Sequence, residues 1–77
     1  MSKLTLTDAK TFEKILLLLG FKIYRQKGSH VFYKHLDGRY TTLPHHSPSD
    51  LGRSLIRQIL HEINITTEEY QQLLKKI

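Results

Sequence analysis

The amino-acid sequence predicts a two-layer α+β fold, in which a three-stranded antiparallel sheet carries helices on one face in the order α-β-β-β-α. Three observations support this prediction. Apolar residues recur at helical spacing near both ends of the 77-residue chain. Three short runs with the character of strands lie between these segments, and the turns joining them are short enough to require antiparallel neighbours. Helices flanking such a sheet are expected to bury their apolar stripes against a single face.

The first helix is predicted from about Asp8 to Leu19. Thr7 is placed to cap its first turn, and Asp8 suits the positive end of the helix dipole. Gly20 fits the left-handed position that commonly ends a helix. The apolar stripe consists of Ala9, Phe12, Ile15, Leu16 and Leu19.

Three strands should follow. They are predicted at Phe21 to Lys27, Ser29 to Leu36 and Arg39 to Leu43. Gly28 and Ser29 break the first strand from the second, and Asp37-Gly38 is a strong signal for a two-residue hairpin loop. Pro44 has no backbone N–H to donate, so it is expected to stop the ladder of the third strand.

The remaining segment returns to helical spacing. After a polar loop, a second helix is predicted from about Asp50 to Ile63. Thr66 and Glu69 have the spacing of a capping box, which opens a short last helix to about Lys76. No internal repeat or linker interrupts the pattern, so the sequence predicts a single domain over residues 1–77.

Composition narrows the choice of partners and locations. Lys and Arg outnumber Asp and Glu by 12 to 7, for a formal net charge of +5, which favours nucleic acid first and acidic protein second. The chain has no cysteine, so it forms neither disulfides nor thiolate metal sites, and the reducing cytoplasm is its expected location. The longest apolar run, Ile15 to Leu19, is far shorter than the roughly 20 residues of a membrane span, so no membrane partner is expected. The first residues also lack the apolar region of a signal peptide.

One histidine stands in a basic, glycine-marked turn, Arg25-Gln26-Lys27-Gly28-Ser29-His30. Imidazole can take and give protons near neutral pH, and neighbouring cations attract phosphate. This combination is what metal-free cleavage of an RNA backbone requires. The plainer alternative is a surface histidine without a function. Alternation places His30 and Phe32 on one face of the strand and Val31 and Tyr33 on the other, but both faces carry large apolar residues, so the pattern does not identify the core face.

Other side chains are candidates for RNA contact. Arg25 and Lys27 suit phosphate oxygens, Arg53 and Arg57 could follow a phosphate backbone along a helix, and tyrosines could stack on unpaired bases. For Arg53 and Arg57 the alternative is a solvated helix face, and for the tyrosines it is ordinary packing in the sheet. Adjacent histidines point apart in an extended chain, so His45-His46 is not expected to form a metal site; these rings either belong to a polar loop or line the RNA site. The predicted RNA-binding residues are Arg25, Lys27, Gly28, Ser29, Lys34, His45, His46, Arg53 and Arg57.

An ordered set of motifs resembles the HicA (YcfA-like) mRNA interferase family, the toxins of bacterial toxin–antitoxin pairs. The set comprises Gly20-Phe21, the segment Arg25 to His30, Tyr33-Lys34-His35 with Asp37-Gly38-Arg39, Thr42 to His46, and Leu55 to Ile59. It extends from the first helix past the second. The short helix around Glu68 to Lys76 lies at its margin.

The resemblance implies a fold like the double-stranded-RNA-binding domain and cleavage of mRNA without a metal or other cofactor. It implies that His30, which follows the glycine-serine turn, is the catalytic residue, and that the partner is a HicB-type antitoxin. The linker Ser47 to Asp50 carries no lysine, so phosphate contacts from it are not expected. Two alternatives remain: a non-catalytic RNA-binding module of the same fold, and a domain that binds an acidic protein.

Overall fold

The computed structural model describes residues 4–45 and 48–77, and these form three helices and one sheet. The strands are antiparallel and lie in the order β1-β2-β3. The predicted α+β class is therefore confirmed. In chain order the elements are α1 (Ala9–Leu18), β1 (Lys22–Lys27), β2 (His30–Lys34), β3 (Tyr40–Pro44), α2 (Arg53–Glu62) and α3 (Thr67–Lys76).

Helix α1 and its N-cap each begin one residue later than predicted. Asp8, not Thr7, is the N-cap, because its carboxylate accepts a hydrogen bond from the Thr11 backbone N–H at 2.8 Å. Hydrogen bonds from the side chain and the backbone of Thr11 hold the pKa of the Asp8 carboxyl below its usual value. The Thr7 carbonyl instead accepts from the Leu51 N–H at 2.8 Å, which ties the N-terminal segment to the start of α2.

Gly20 ends α1 as predicted. Its φ of +98° is left-handed, and the Gly20 and Phe21 N–H groups donate to the carbonyls of Leu17 and Leu16. This is the Schellman arrangement, in which a left-handed residue turns the chain out of the helix. A Cβ on Gly20 would also lie 3.1 Å from His35 Nε2, so the site disfavours a side chain for two independent reasons.

The two hairpin turns differ from each other. Gly28 and Ser29 form a two-residue turn between β1 and β2, and the Gly28 φ of +60° is the value that a type II′ turn needs at its first central position. The second turn is not the predicted two-residue loop. The His35 N–H donates to the Arg39 carbonyl and Gly38 has a φ of +99°, so the loop comprises the three residues 36–38, with glycine in its left-handed position.

Pro44 does not stop the ladder, contrary to the prediction. It is the last residue of β3 and lies opposite His30. The next residue still makes a cross-strand hydrogen bond, since the His45 N–H donates at 2.7 Å to the carbonyl of Ser29, the turn residue that precedes β2. Pro44 therefore occupies a non-hydrogen-bonded position on an edge strand, where a missing N–H leaves no carbonyl unpaired.

Helix α2 is shorter than predicted at its start. Gly52 is extended, with ψ of 152°, so helical geometry begins only at Arg53. Asn64 ends the helix with φ of +58°, a left-handed position taken here by a residue other than glycine.

The capping box of Thr66 and Glu69 is confirmed at the start of α3. Tyr70 of α3 is buried, stacks on Phe12 at 5.5 Å and donates to the Thr5 carbonyl at 2.6 Å, so α3 completes the core.

One face of the sheet is covered by helices and the other is open. Val31 and Tyr33 are buried, as are their partners Leu43 and Thr41 on β3. A bulge between Ile23 and Arg25 shifts the register of β1. We use the term open face for the opposite side, made of the cross-strand rows Lys27–His30–Pro44, Arg25–Phe32–Thr42 and Lys22–Lys34–Tyr40.

Helix length bears on membrane insertion. Across residues 4–45 and 48–77, none of the helices combines the length and the apolar character that a bilayer span requires.

Candidate functional site

His30 is the first residue of β2 and is exposed on the open face. The two-residue turn places Lys27 directly opposite it, and residues paired across antiparallel strands project to the same side with Cα atoms about 5 Å apart. Pro44 flanks His30 on its other side. The two side chains thus lie on the same side at one end of the sheet, and both residues are exposed.

The turn itself supports this placement. A Cβ built on Gly28 would have no neighbour within 4 Å, so glycine serves the backbone conformation there and leaves space beside the turn. The Ser29 carbonyl receives the His45 N–H, which ties the turn to β3. The predicted contacts Gly28 and Ser29 therefore lie next to His30 on a braced turn.

The other predicted cations of β1 and β2 share the open face with His30. Arg25 lies one row away, with its guanidinium carbon 5.6 Å from the centre of the Phe32 ring. Lys34 and Lys22 form the far row. The three rows of the open face together carry four cations and no carboxylate, so this surface presents positive potential to an incoming phosphate chain.

His45 lies on the helical side of the sheet, not beside His30. Its Nε2 is 2.9 Å from the Tyr33 hydroxyl and 3.7 Å from a carboxylate oxygen of Glu13. The Tyr33 hydroxyl donates its one hydrogen to that Glu13 carboxylate, so His45 Nε2 must carry a hydrogen and donate it to Tyr33 Oη. The structure therefore does not bring the two imidazoles into one pocket, although both lie at the same end of the sheet.

Burial of the Tyr33 ring has a clear electrostatic effect. The pKa of Tyr33 is raised far above its ordinary value, mainly because burial disfavours the phenolate, and also because the Glu13 carboxylate accepts its hydrogen bond and repels a second negative charge. Glu13, Tyr33 and His45 form a hydrogen-bonded unit that links α1, β2 and the end of β3. His45 and Glu13 also border a cleft of about 360 Å³ that includes Lys10 and Lys14.

The tyrosines divide into two groups. Tyr33 is fully buried, so of the two alternatives for the tyrosines it takes the one of sheet packing and not of base stacking. Tyr24 and Tyr40 are 54% and 64% exposed. Tyr40 belongs to the far row of the open face, and the Tyr24 ring meets the edge of Phe32 with 6.2 Å between centroids.

Helix α2 places its arginines away from this surface. Arg53 and Arg57 are both exposed, but α2 packs on the side of the sheet opposite His30. Arg53 donates to the Leu4 carbonyl at 3.1 Å, so at least part of its role is to hold the N-terminal segment. His46 and Ser47 of the predicted loop lie outside the described residues.

Sequence reasoning missed Glu13 and the continuous open face. Glu13 lies off the apolar stripe of α1 and carries no local signal of a partner 20 residues away. The bulge at Tyr24 brings Arg25 into the same row as Phe32, and no simple alternation rule reveals that register. In the part of the chain that the structure describes, no three His, Cys, Asp or Glu side chains are grouped as metal ligands would be.

Comparison with known proteins gives a match to one family model. No curated protein matches the sequence significantly. The family model described as the HicA toxin of bacterial toxin–antitoxin systems matches residues 9–65, which run from α1 through the end of α2 and include the whole sheet. Since the match covers about three quarters of the chain, this protein belongs to the HicA family of bacterial toxins.

Proposed function

We propose that the protein is a metal-independent endoribonuclease that cleaves mRNA, with His30 as the proton-transferring residue. The observation that carries the proposal is the exposed His30 imidazole opposite Lys27, at one end of a face with four cations and no carboxylate. The resemblance to mRNA interferases and membership of the HicA toxin family support the same activity.

The chemistry uses a nucleophile that RNA itself supplies. His30 removes the proton of a ribose 2′-hydroxyl, and the oxygen attacks the adjacent phosphorus in line with the bond to the leaving 5′-oxygen. The P–O5′ bond breaks, leaving a 2′,3′-cyclic phosphate and a free 5′-hydroxyl once the leaving oxygen gains a proton. Acid–base assistance of this kind contributes about 10²- to 10⁴-fold to rate.

Cations beside the imidazole would stabilise the charge that develops on phosphorus. Lys27 is the nearest candidate, since it lies opposite His30 in the same row, and Arg25 lies in the next row. Charged donors held at such a position act where negative charge grows in the transition state. Gly28 and Ser29 leave room for the chain to approach, and Lys34 extends the contact along β2.

Other predicted contacts have weaker support. Arg53 and Arg57 would touch RNA only if the strand also reached the helical side of the sheet. His45 would act indirectly, because its ring hydrogen is directed to Tyr33. His46 is proposed as an RNA contact on the basis of the sequence alone, in which it follows His45.

The partner of a toxin in such a pair is an antitoxin, and we propose one of the HicB type, in the cytoplasm. A basic surface of this kind suits an acidic protein segment as well as RNA. Residues 1–77 are proposed to act as one domain, because the Tyr70 ring of α3 packs on Phe12 of α1.

The test incubates the purified chain with a labelled single-stranded RNA and analyses the ends of the products. The expected result is cleavage that leaves 2′,3′-cyclic phosphate ends, continues in EDTA and is lost in His30→Ala. His61→Ala, which changes an exposed histidine of α2, is the matched control and should retain activity. Equal rates for native protein and His30→Ala would rule the proposal out, and loss of activity on chelation would contradict a metal-free reaction. Binding without cleavage would support the RNA-binding module instead.

A further inference from the structure

We propose that the open face is a stacking platform for single-stranded RNA, with bases lying on Tyr24, Phe32 and Tyr40 as the strand runs across the sheet to His30. The inference rests on the proposed function and extends it, because it assigns a substrate path and a strand preference that cleavage chemistry at His30 does not require.

Aromatic rings lie on this face where core packing does not explain them. Tyr40 is 64% exposed and Tyr24 is 54% exposed, although large apolar rings normally gain free energy by burial. Tyr24 comes onto the face because the bulge between Ile23 and Arg25 interrupts the alternation of β1, and its ring packs edge-on against Phe32. Exposed rings on a sheet are the surface on which unpaired bases stack.

The cations on the same face suit the phosphate groups of an RNA strand. The Arg25 guanidinium lies over the Phe32 ring with its carbon 5.6 Å from the centroid, and a guanidinium plane can itself stack on a base. Lys22 and Lys34 lie opposite each other in the far row. The face therefore carries both rings for bases and cations for phosphates.

The length of β2 and a hollow at its far end give the RNA strand a path across the open face. The Cα atoms of His30 and Lys34 are about 13 Å apart along β2. Near Lys34 the face opens into a hollow of about 330 Å³ bordered by Lys22 and Tyr24. An RNA strand whose phosphate lies in this hollow can cross Phe32 and deliver a phosphodiester further along the strand to His30 and Lys27.

Single-stranded RNA fits this surface better than a duplex does. In a duplex each base is already stacked within its own strand and paired, so its face is unavailable to a tyrosine ring. An acidic protein could use the cations but has no specific need for the three rings on this face. The chemistry of the face, and its continuity with His30, favour an unpaired RNA strand as occupant.

The test measures equilibrium binding of the native chain to a fluorescent RNA whose 2′-hydroxyls are methylated, since such RNA has no nucleophile for cleavage. The same oligonucleotide annealed to its complement is the duplex probe. We expect tighter binding of the single strand, and binding about 5- to 150-fold weaker in Tyr24→Ala or Tyr40→Ala, the range expected for loss of one stacked base. Tyr40→Phe keeps the ring and should bind within about twofold of native protein.

Two controls separate stacking from general effects. Leu18→Ala removes an apolar side chain of α1 that is 56% exposed on the helical side, and should leave binding unchanged. Lys34→Gln should reduce the slope of log affinity against log salt concentration by about 0.7, as loss of one phosphate contact on a single strand predicts. Thermal unfolding of each variant confirms that it folds.

The outcomes distinguish this proposal from the ribonuclease proposal. Equal affinity for duplex and single strand, or native affinity in both tyrosine-to-alanine variants, would overturn the platform even if the native chain cleaves RNA. Binding of an acidic protein to this face, with no binding of either oligonucleotide, would also overturn the platform. Single-strand binding that depends on Tyr24 and Tyr40 would support the platform even if cleavage fails.

Discussion

Replacing Tyr33 with phenylalanine tests the hydrogen-bonded unit at the end of the sheet. The ring is fully buried, so Tyr33→Phe keeps the core packing and removes only the hydroxyl. That hydroxyl donates to Glu13 and receives the ring hydrogen of His45 at 2.9 Å. The substitution therefore breaks two contacts while creating no cavity.

The expected cost follows from the exposure of the partners. A hydrogen bond to a charged group contributes about 1.5–3 kcal/mol. The Glu13 side chain is 27% exposed and that of His45 is 19% exposed, so water can partly replace the hydroxyl, which favours the lower end of that range. We expect the free energy of unfolding to fall by about 1.5–2 kcal/mol, and the melting temperature by about 6–16 °C for a domain of this size.

Chemical denaturation and thermal unfolding measure this change directly. Tyr24→Phe is the matched control, because it makes the same chemical change on a ring that is 54% exposed, and should alter stability by less than about 0.5 kcal/mol. A double-mutant cycle with Glu13→Gln should show a coupling energy of at least about 0.5 kcal/mol. If the two tyrosine-to-phenylalanine variants are equally stable, the hydroxyl does not bind as described.

Two further predictions concern backbone conformation and pH. Gly20→Ala should lower the free energy of unfolding by about 2 kcal/mol in a denaturation assay, because Gly20 has a φ of +98° and a Cβ there would lie 3.1 Å from a ring atom of His35. The control is Gly52→Ala, at a glycine with an ordinary φ, which should lower it by less than about 0.5 kcal/mol in the same assay. Equal losses in the two variants would refute the argument. Burial, with a contribution from the Asp50 charge, raises the pKa of Tyr70 to about 12. Because an unfolded tyrosine ionises near pH 10, the contribution of Tyr70 to stability should be constant below that pH. It should fall between pH 10 and about 12, where this side chain loses its proton in the unfolded chain but keeps it in the folded one. Tyr70→Phe should make the fall of stability shallower in denaturation curves from pH 8 to 12, and an unchanged slope would contradict the assignment.

Local signals predicted most of the elements. Gly20 marked the end of α1, the Thr66 capping box marked the start of α3, and the glycine of each hairpin marked a turn. These features depend on residues within a few positions of each other, so the sequence is sufficient to reveal them. The errors at Thr7 and at Asp37-Gly38 were shifts of one residue, which the actual hydrogen bonds decide.

Features that depend on distant pairing could not be predicted. The identity of the core face was undecided because Phe32 and Tyr33 are both large, and only the helices that cover Tyr33 settle it. The bulge at Tyr24 depends on the register with β2. The orientation of His45 depends on Glu13 of α1, 32 positions earlier in the sequence. Sequence therefore located the candidate histidine, its turn and the side chains of its own strand that share its face, but not those that β1 and β3 contribute.

The most direct test of the central claim compares rates of RNA cleavage by the native chain and by His30→Ala under single-turnover conditions. If the exposed imidazole opposite Lys27 transfers the proton, the rate falls by about 10²-fold or more in the variant, while the folded state and binding of 2′-methylated RNA are retained. A His30→Ala variant that cuts RNA as fast as the native chain would contradict the account.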